Sequence, residues 1–344
     1  MYEINAWQLR KALIRDFKAG ITAMVASSPG MGKSDIIRDI AKTFDLKVID
    51  LRVSQCEPVD MQGYPGVIEN GANMKRMTFH VPEYFPIESD KIPEGYKGWL
   101  LFLDEFNSGN KQTEAAAYKL ILDREAYKRK LHPRCLIVAA GNLVTDRAIV
   151  STQSTATTSR LHHYRMKIDH KVWLDWANKN DIDQRIISLI KFKPEILHKF
   201  DPATNELTFP CPRTWAFASK VIKNQEIDDI NQIRLAGTIG EGASVELTTY
   251  AKIYKNLPTI EQILADPKAG WKVPKEPSEK YAVTTLLAHN CTPNNIETIV
   301  TANTRLSSDF QVITLRDIYK RNPESINHDA IKNWVANNSA DLFD

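Results

Sequence analysis

The chain is 344 residues long, room for two domains of about 150 residues or for one large domain with an appendage. Hydrophobic residues make up 43% and charged residues 25%, which excludes collagen-like, low-complexity and disordered classes. The 45 basic and 42 acidic residues leave a net charge of +3, too weak a field over this length to demand a nucleic acid as partner.

In chain order, Ala6, Leu9, Leu13 and Phe17 recur at helical spacing over residues 5–19, and Gly20 stands where a left-handed cap ends a helix. The run 21–26 (ITAMVA) has the length of a strand. It leads through the loop SSPGMGKS into a helical pattern over 35–44. Further strands are expected at 47–51 (KVIDL), 99–103 (WLLFL), 135–140 (CLIVAA) and 164–168 (YRMKI). The middle two are apolar throughout, as strands covered on both faces are. Helical patterns alternate with them, which predicts an α/β fold with a mostly parallel sheet and ligand chemistry at the carboxyl ends of its strands. Two short runs around Asn70-Gly71 predict an inserted β-hairpin. Beyond about residue 170 strand signals fade and helical patterns take over, so a second, helical domain is expected. After a proline-bearing stretch (256–277) the tail again shows helical periodicity at 282–287 and 296–300.

The apolar runs 99–103 and 135–140 are far short of the roughly 20 residues that cross a bilayer, and the charged opening shows no apolar leader. A soluble, unexported, cytoplasmic protein without a membrane partner is expected. Cys56, Cys135, Cys211 and Cys291 are widely spaced with no CxxC pair, which reads as reduced thiols rather than a disulfide frame or zinc site.

The loop Ser27-Ser28-Pro29-Gly30-Met31-Gly32-Lys33-Ser34 fits the phosphate-binding pattern G-x-x-x-x-G-K-[ST] except at its first position. Glycines free the backbone so that its N–H groups wrap phosphate oxygens at a helix N-terminus; Lys33 reaches the β- and γ-phosphates and the Ser34 hydroxyl ligates Mg²⁺. The alternative is a glycine turn with an incidental Lys-Ser. A second motif opposes it: the apolar strand ending in Asp104-Glu105 suits an aspartate that holds Mg²⁺ and a glutamate that orients an attacking water. A third strand ends in Asn142, where a γ-phosphate or its water would lie.

These motifs, followed by STATTSRLHHYRMKI (154–168) and CPRTWAFASKVI (211–222), resemble those of the AAA+ ATPases. EPVDMQGYPG (57–66), LDREAY (122–127) and GTIGEGASVELTTYAKI (237–253) look like the MoxR-type branch. The resemblance covers roughly residues 5–260. It implies Pro29 to Ser34 cradling ATP, Ser34 and Asp104 on Mg²⁺, Glu105 activating water and Asn142 as first sensor. Arg160 matches an arginine finger acting in trans, with Arg147 and Arg165 as competitors, and Arg213 matches a second sensor. It further implies an ATPase with a nucleotide-binding core (1–169), a helical lid (170–260) and a mostly helical C-terminal extension (261–344). Such a chain is expected to form a homo-oligomeric ring, a hexamer, that remodels or activates a protein client, often one with a von Willebrand factor A domain. The alternative from another class is a nucleic-acid-associated AAA+ ATPase, a loader or helicase-like ring, with Lys128-Arg129-Lys130 lining a pore.

Overall fold

The computed structural model describes residues 2–70, 74–146, 158–204 and 206–338. Contacts within the chain divide it into two compact units, Met1–Ile168 with Asp201–Ala203, and Asp169–Phe200 with Thr204–Asp344.

The first unit contains β1 (Glu3–Ile4), α1 (Ala6–Ala19), β2 (Ala23–Ser27), α2 (Lys33–Thr43), β3 (Leu46–Arg52) and α3 (Pro58–Gln62). There follow β4 (Tyr64–Asn70), β5 (Met74–His80), β6 (Gly98–Asp104), α4 (Lys111–Leu122), the two-residue strands β7 (Glu125–Ala126) and β8 (Arg129–Lys130), β9 (Cys135–Asn142) and β10 (His162–Met166). Six strands make one sheet in the order β1-β10-β2-β9-β6-β3, with every pairing parallel. This is the α/β architecture expected from the alternating patterns.

Alternation along each strand builds two apolar layers. Ala23, Val25, Leu100, Phe102, Val138 and Ala140 face α1 and α2, where Leu9, Leu13, Ile37 and Ile40 are buried. Met24, Leu101, Leu103, Ile137 and Ala139 face the other way, onto Ala117, Leu120 and Ile121 of α4. Burial on both faces is the physical reason that these strands read as continuous apolar runs. α1 begins at Asn5, whose side chain accepts from Gln8 N–H at 2.9 Å, and ends at Gly20 in the left-handed region (φ 69°), as its spacing predicts.

Two sequence expectations shift. β10 begins two residues before the expected 164, where His162 pairs with Ala23 at the amino end of β2, and it stops at Met166, the residue paired with Ile4 at the end of β1. The inserted hairpin is present as the antiparallel pair β4 and β5, but Asn70 is itself paired with Met74. The turn expected at Asn70-Gly71 reaches residue 71, which lies outside the described residues.

The second unit is helical: α5 (His170–Lys179), α6 (Gln184–Phe192), α7 (Pro212–Ile222), α8 (Asp229–Ile239), α9 (Glu241–Lys255), α10 (Ile260–Ala265), α11 (Pro277–His289), α12 (Ile296–Asn303), α13 (Ser308–Arg321) and α14 (Asp329–Asn337). Helices on both sides of residue 260 share this unit, and α11 packs against both α6 and α13. At that junction Lys191 of α6 donates to Thr285 Oγ1 of α11 at 3.0 Å and pairs with Asp317 of α13. Both charged side chains are only 7% exposed. Among the described residues no helix is long and apolar enough to cross a membrane.

A buried ion pair is costly to break from one side, since the survivor stays charged and unpartnered. Lys191→Met is expected to destabilise the protein by about 3 to 5 kcal/mol, and Lys191→Met/Asp317→Leu to recover most of that loss. Urea unfolding of the two variants checks this; a double variant no better than the single one contradicts it.

Candidate functional site

The sheet delivers three polar groups to one edge. β2 lies inside the sheet between β10 and β9, and its last residue, Ser27, is paired with Asn142, the last of β9. One strand further on, β6 ends at Asp104, which is paired with Arg52 of β3. The chain runs from β2 outward to β3, returns through β6 and β9, and then crosses β2 to reach β10. The connections thus diverge at β2, the kind of switch point where parallel sheets open a crevice at their carboxyl ends.

The loop from Ser27 to Gly32 fills that position. Gly30 and Gly32 have φ of 72° and 88°, a region that side chains with a Cβ rarely adopt, and Gly32 is the residue before α2. Met31 between them is buried in the same apolar layer as Ile37 and Ile40, so the loop is anchored by its own side chain. α2 starts at Lys33 and points its free N–H groups and positive dipole end at the crevice, a ready anion site.

Ser27 stands where the phosphate-loop pattern has glycine, yet it is the last residue of β2 and is absent from the positive-φ residues. No glycine freedom is needed there. Its side chain is fully buried and joins the Lys33 network. Lys33, 9% exposed, reaches Ser27 Oγ at 2.9 Å, the Ser27 carbonyl at 3.0 Å, Asn142 Oδ1 at 3.3 Å and the Ser28 carbonyl at 3.4 Å. A desolvated ammonium is thereby surrounded by oxygens from the start of the loop and from the end of β9.

Ser34 Oγ donates to Asp104 Oδ2 at 3.1 Å. Adjacent ligands of an octahedral Mg²⁺ with bonds of about 2.1 Å lie about 3.0 Å apart, so this hydroxyl and carboxylate fit one such ion. Mg²⁺ needs few protein oxygens because it retains waters and phosphates. Among the described residues no group of three or more His, Cys, Asp or Glu could hold a metal.

Glu105 follows directly and is held in the left-handed region, φ 53° and ψ 34°. Its N–H donates to Asp104 Oδ1 at 2.9 Å, and its carboxylate accepts from the Ser54 hydroxyl just after β3. Nearby, the Arg38 guanidinium donates to Asp50 at 2.7 Å; that bond raises its affinity for its proton, with Asp35 and Asp104 adding to the effect. The structure therefore brings together Lys33, Ser34, Asp104, Glu105 and Asn142 from the ends of two strands and the start of a helix.

Arg160 is exposed, two residues before β10, at the end of the sheet opposite the loop. Arg165 pairs with Glu3 of β1 at 3.2 Å. Arg147 lies outside the described residues. Arg213 is exposed on the first turn of α7 in the second unit. Ser54 and Asn107 are not legible as site residues from sequence. Their signal is positional: Ser54 follows the strand paired with β6, and Asn107 falls three residues after Asp104.

A parallel sheet whose inner strand feeds a glycine loop, a helix opening on Lys-Ser, and an aspartate from a nearby strand end together define a P-loop NTPase fold. No protein-family model matches the chain, and no curated protein sequence matches it. Among solved structures it is similar to a mutant form of RuvB from Thermotoga maritima at 16% identity, covering 71% of this chain and 68% of that one, with a TM-score of 0.40. A putative ATPase from Cytophaga hutchinsonii is similar at 12% identity over 96% of this chain and 87% of that one, with a TM-score of 0.36. NtrX from Brucella abortus is similar at 13% identity over 93% and 69%, with a TM-score of 0.41. Strand order and the loop, rather than these distant likenesses, define the class.

Holding a glutamate in the left-handed region carries a backbone cost that glycine would not bear. Glu105→Gly is expected to be more stable than Glu105→Ala by about 1 kcal/mol, although glycine is ordinarily the less stable of the two. Chemical denaturation of both variants decides it, and equal stability would contradict the strained geometry.

Proposed function

We propose that this chain is a Mg²⁺-dependent ATPase of the AAA+ class, of the MoxR-like branch, working as a ring of six subunits that remodels or activates a protein client. The observation that carries the reading is the meeting of Lys33 and Ser34, at the start of α2, with Asp104 and Asn142 from the ends of two other strands. In this reading, residues 1–169 are the nucleotide-binding core, 170–260 the lid and 261–344 an extension.

Residues Pro29 to Ser34 cradle the phosphates with backbone N–H groups, and Lys33 turns its ammonium from the strand oxygens toward the β- and γ-phosphoryl oxygens. Ser34 and Asp104 hold Mg²⁺, which when bound neutralises charge between those phosphates. Glu105 orients the attacking water. Asn142 meets the γ-phosphoryl oxygen or that water. In its described conformation Glu105 is held by Ser54, and swinging free of that hydroxyl brings its carboxylate to the water.

Arg160 stands too far along the sheet to serve its own loop, which supports a role at the loop of a neighbouring subunit. An arginine supplied across an interface is worth about 10³ to 10⁵ in rate in other phosphoryl-transfer systems. Arg213 acts from the lid as second sensor. The hairpin exposes Val67, Ile68 and Met77, apolar side chains suited to contact with a protein client, for which a von Willebrand factor A domain is one candidate.

Lys33→Ala is expected to lose both nucleotide binding and hydrolysis, while Glu105→Gln keeps binding and loses turnover. A fluorescent ATP analogue reports the first and phosphate release the second. Wild-type turnover in Glu105→Gln would contradict the assigned roles.

Arg160→Ala is expected to bind ATP normally and be inactive alone. Mixed rings of Arg160→Ala with Lys33→Ala subunits should regain part of the turnover, because each supplies the half-site that the other lacks. Verified mixed rings without recovery would contradict an arginine acting in trans.

A further inference from the structure

Asn107 ties the carboxyl end of β6 to that of β9. It lies in the turn after Asp104-Glu105 and is 5% exposed. Its Nδ2 donates to the Asn142 carbonyl at 2.8 Å, while the Asn142 N–H donates to its Oδ1 at 3.2 Å. One side-chain amide thereby satisfies both backbone groups of a single residue, as a paired strand would. The β6–β9 ladder stops at Leu103 opposite Ala139, three residues short of Asn142, so Asn107 takes over where the strand pairing ends.

The neighbouring sequence is shaped to this contact. A Cβ on Gly141 would come within 1.9 Å of Asn107 Oδ1 and 2.7 Å of its Cγ, closer than side-chain atoms ever approach. Only glycine admits the clamp. On the far side, the Asn142 side chain accepts from Lys33 Nζ at 3.3 Å. With its register set by the pairing with Ser27 and its N–H and carbonyl both held by Asn107, Asn142 keeps only its two side-chain torsions, so Asn107 fixes the β6 side of the residue whose amide meets Lys33.

We infer that Asn107 is a positioning residue for hydrolysis: it touches no nucleotide and acts by placing the Asn142 amide. The inference rests on the ATPase reading above and adds to it a residue with no role in the phosphate loop or the Asp104-Glu105 pair. Nucleotide binding depends on the loop N–H groups and Lys33, which Asn107 does not contact, so its loss falls on turnover. A supporting residue of this kind is typically worth about 10- to 100-fold in activity.

The test is a double-mutant cycle in the full-length protein with Asn107→Ala, Asn142→Ala and both together. Asn107→Gln is added as a variant that fills the space but, being one methylene longer, cannot hold both bonds. Folding is checked by circular dichroism and thermal melting, binding with a fluorescent ATP analogue, and kcat by phosphate release. Asn107→Ala and Asn107→Gln are expected to lower kcat about 10-fold or more with the dissociation constant within about threefold of wild type. In the Asn142→Ala background, Asn107→Ala should cost no further kcat, because the group it positions is gone. Wild-type kcat in either folded variant, additive losses in the cycle, or weakened binding in step with kcat would overturn the role of Asn107 while leaving the ATPase reading intact. A wild-type chain without any turnover would overturn that reading and this role together.

Discussion

The need to keep the Lys33 ammonium partnered while it is nearly buried organises the structure. Its oxygens come from the ends of β2 and β9, strands more than a hundred residues apart in sequence, and the parallel ladder that pairs Ser27 with Asn142 holds them at one height. A slip of one residue between these strands would turn Asn142 to the other face of the sheet. The apolar layers above and below, with α1 and α2 on one side and α4 on the other, are what set that register.

From this constraint the rest of the site follows. The loop leaves β2 at the point where the strand connections diverge, and the two glycines with positive φ bring the chain round so that α2 begins on Lys33. β6, one strand beyond β9, brings Asp104 to the Ser34 hydroxyl. Strain collects beside it, at Glu105, the residue that must change partners during turnover in the proposed reaction. Asn107 closes the edge by replacing the ladder beyond its end.

Much of this is legible in the sequence because the same physics writes both. Strands covered on both faces must be apolar throughout, which is why β6 and β9 stand out; a helix that starts at a phosphate site needs glycine before it, which is why the loop does. The start of β10 is hidden because His162 and His163 carry no apolar signal, and β1, with two residues, has no period to detect. Ser54 and Asn107 escape for a different reason. A serine after a strand and an asparagine in a turn are common, and only the neighbour relations of β3, β6 and β9 give them meaning. The departure at Ser27 looks like a defect in the motif, whereas the burial of its hydroxyl beside Lys33 makes it part of the site.

The central claim is that nucleotide phosphates settle on the loop between β2 and α2, against the ends of β6 and β9. Backbone hydrogen exchange of the full-length protein, measured with and without Mg²⁺ and ATP, tests it most directly. Slower exchange over residues 29–34, at 104–107 and at Asn142 is the predicted result. ATP binding that leaves these amides unchanged, or that protects only segments of the helical unit, would contradict the account.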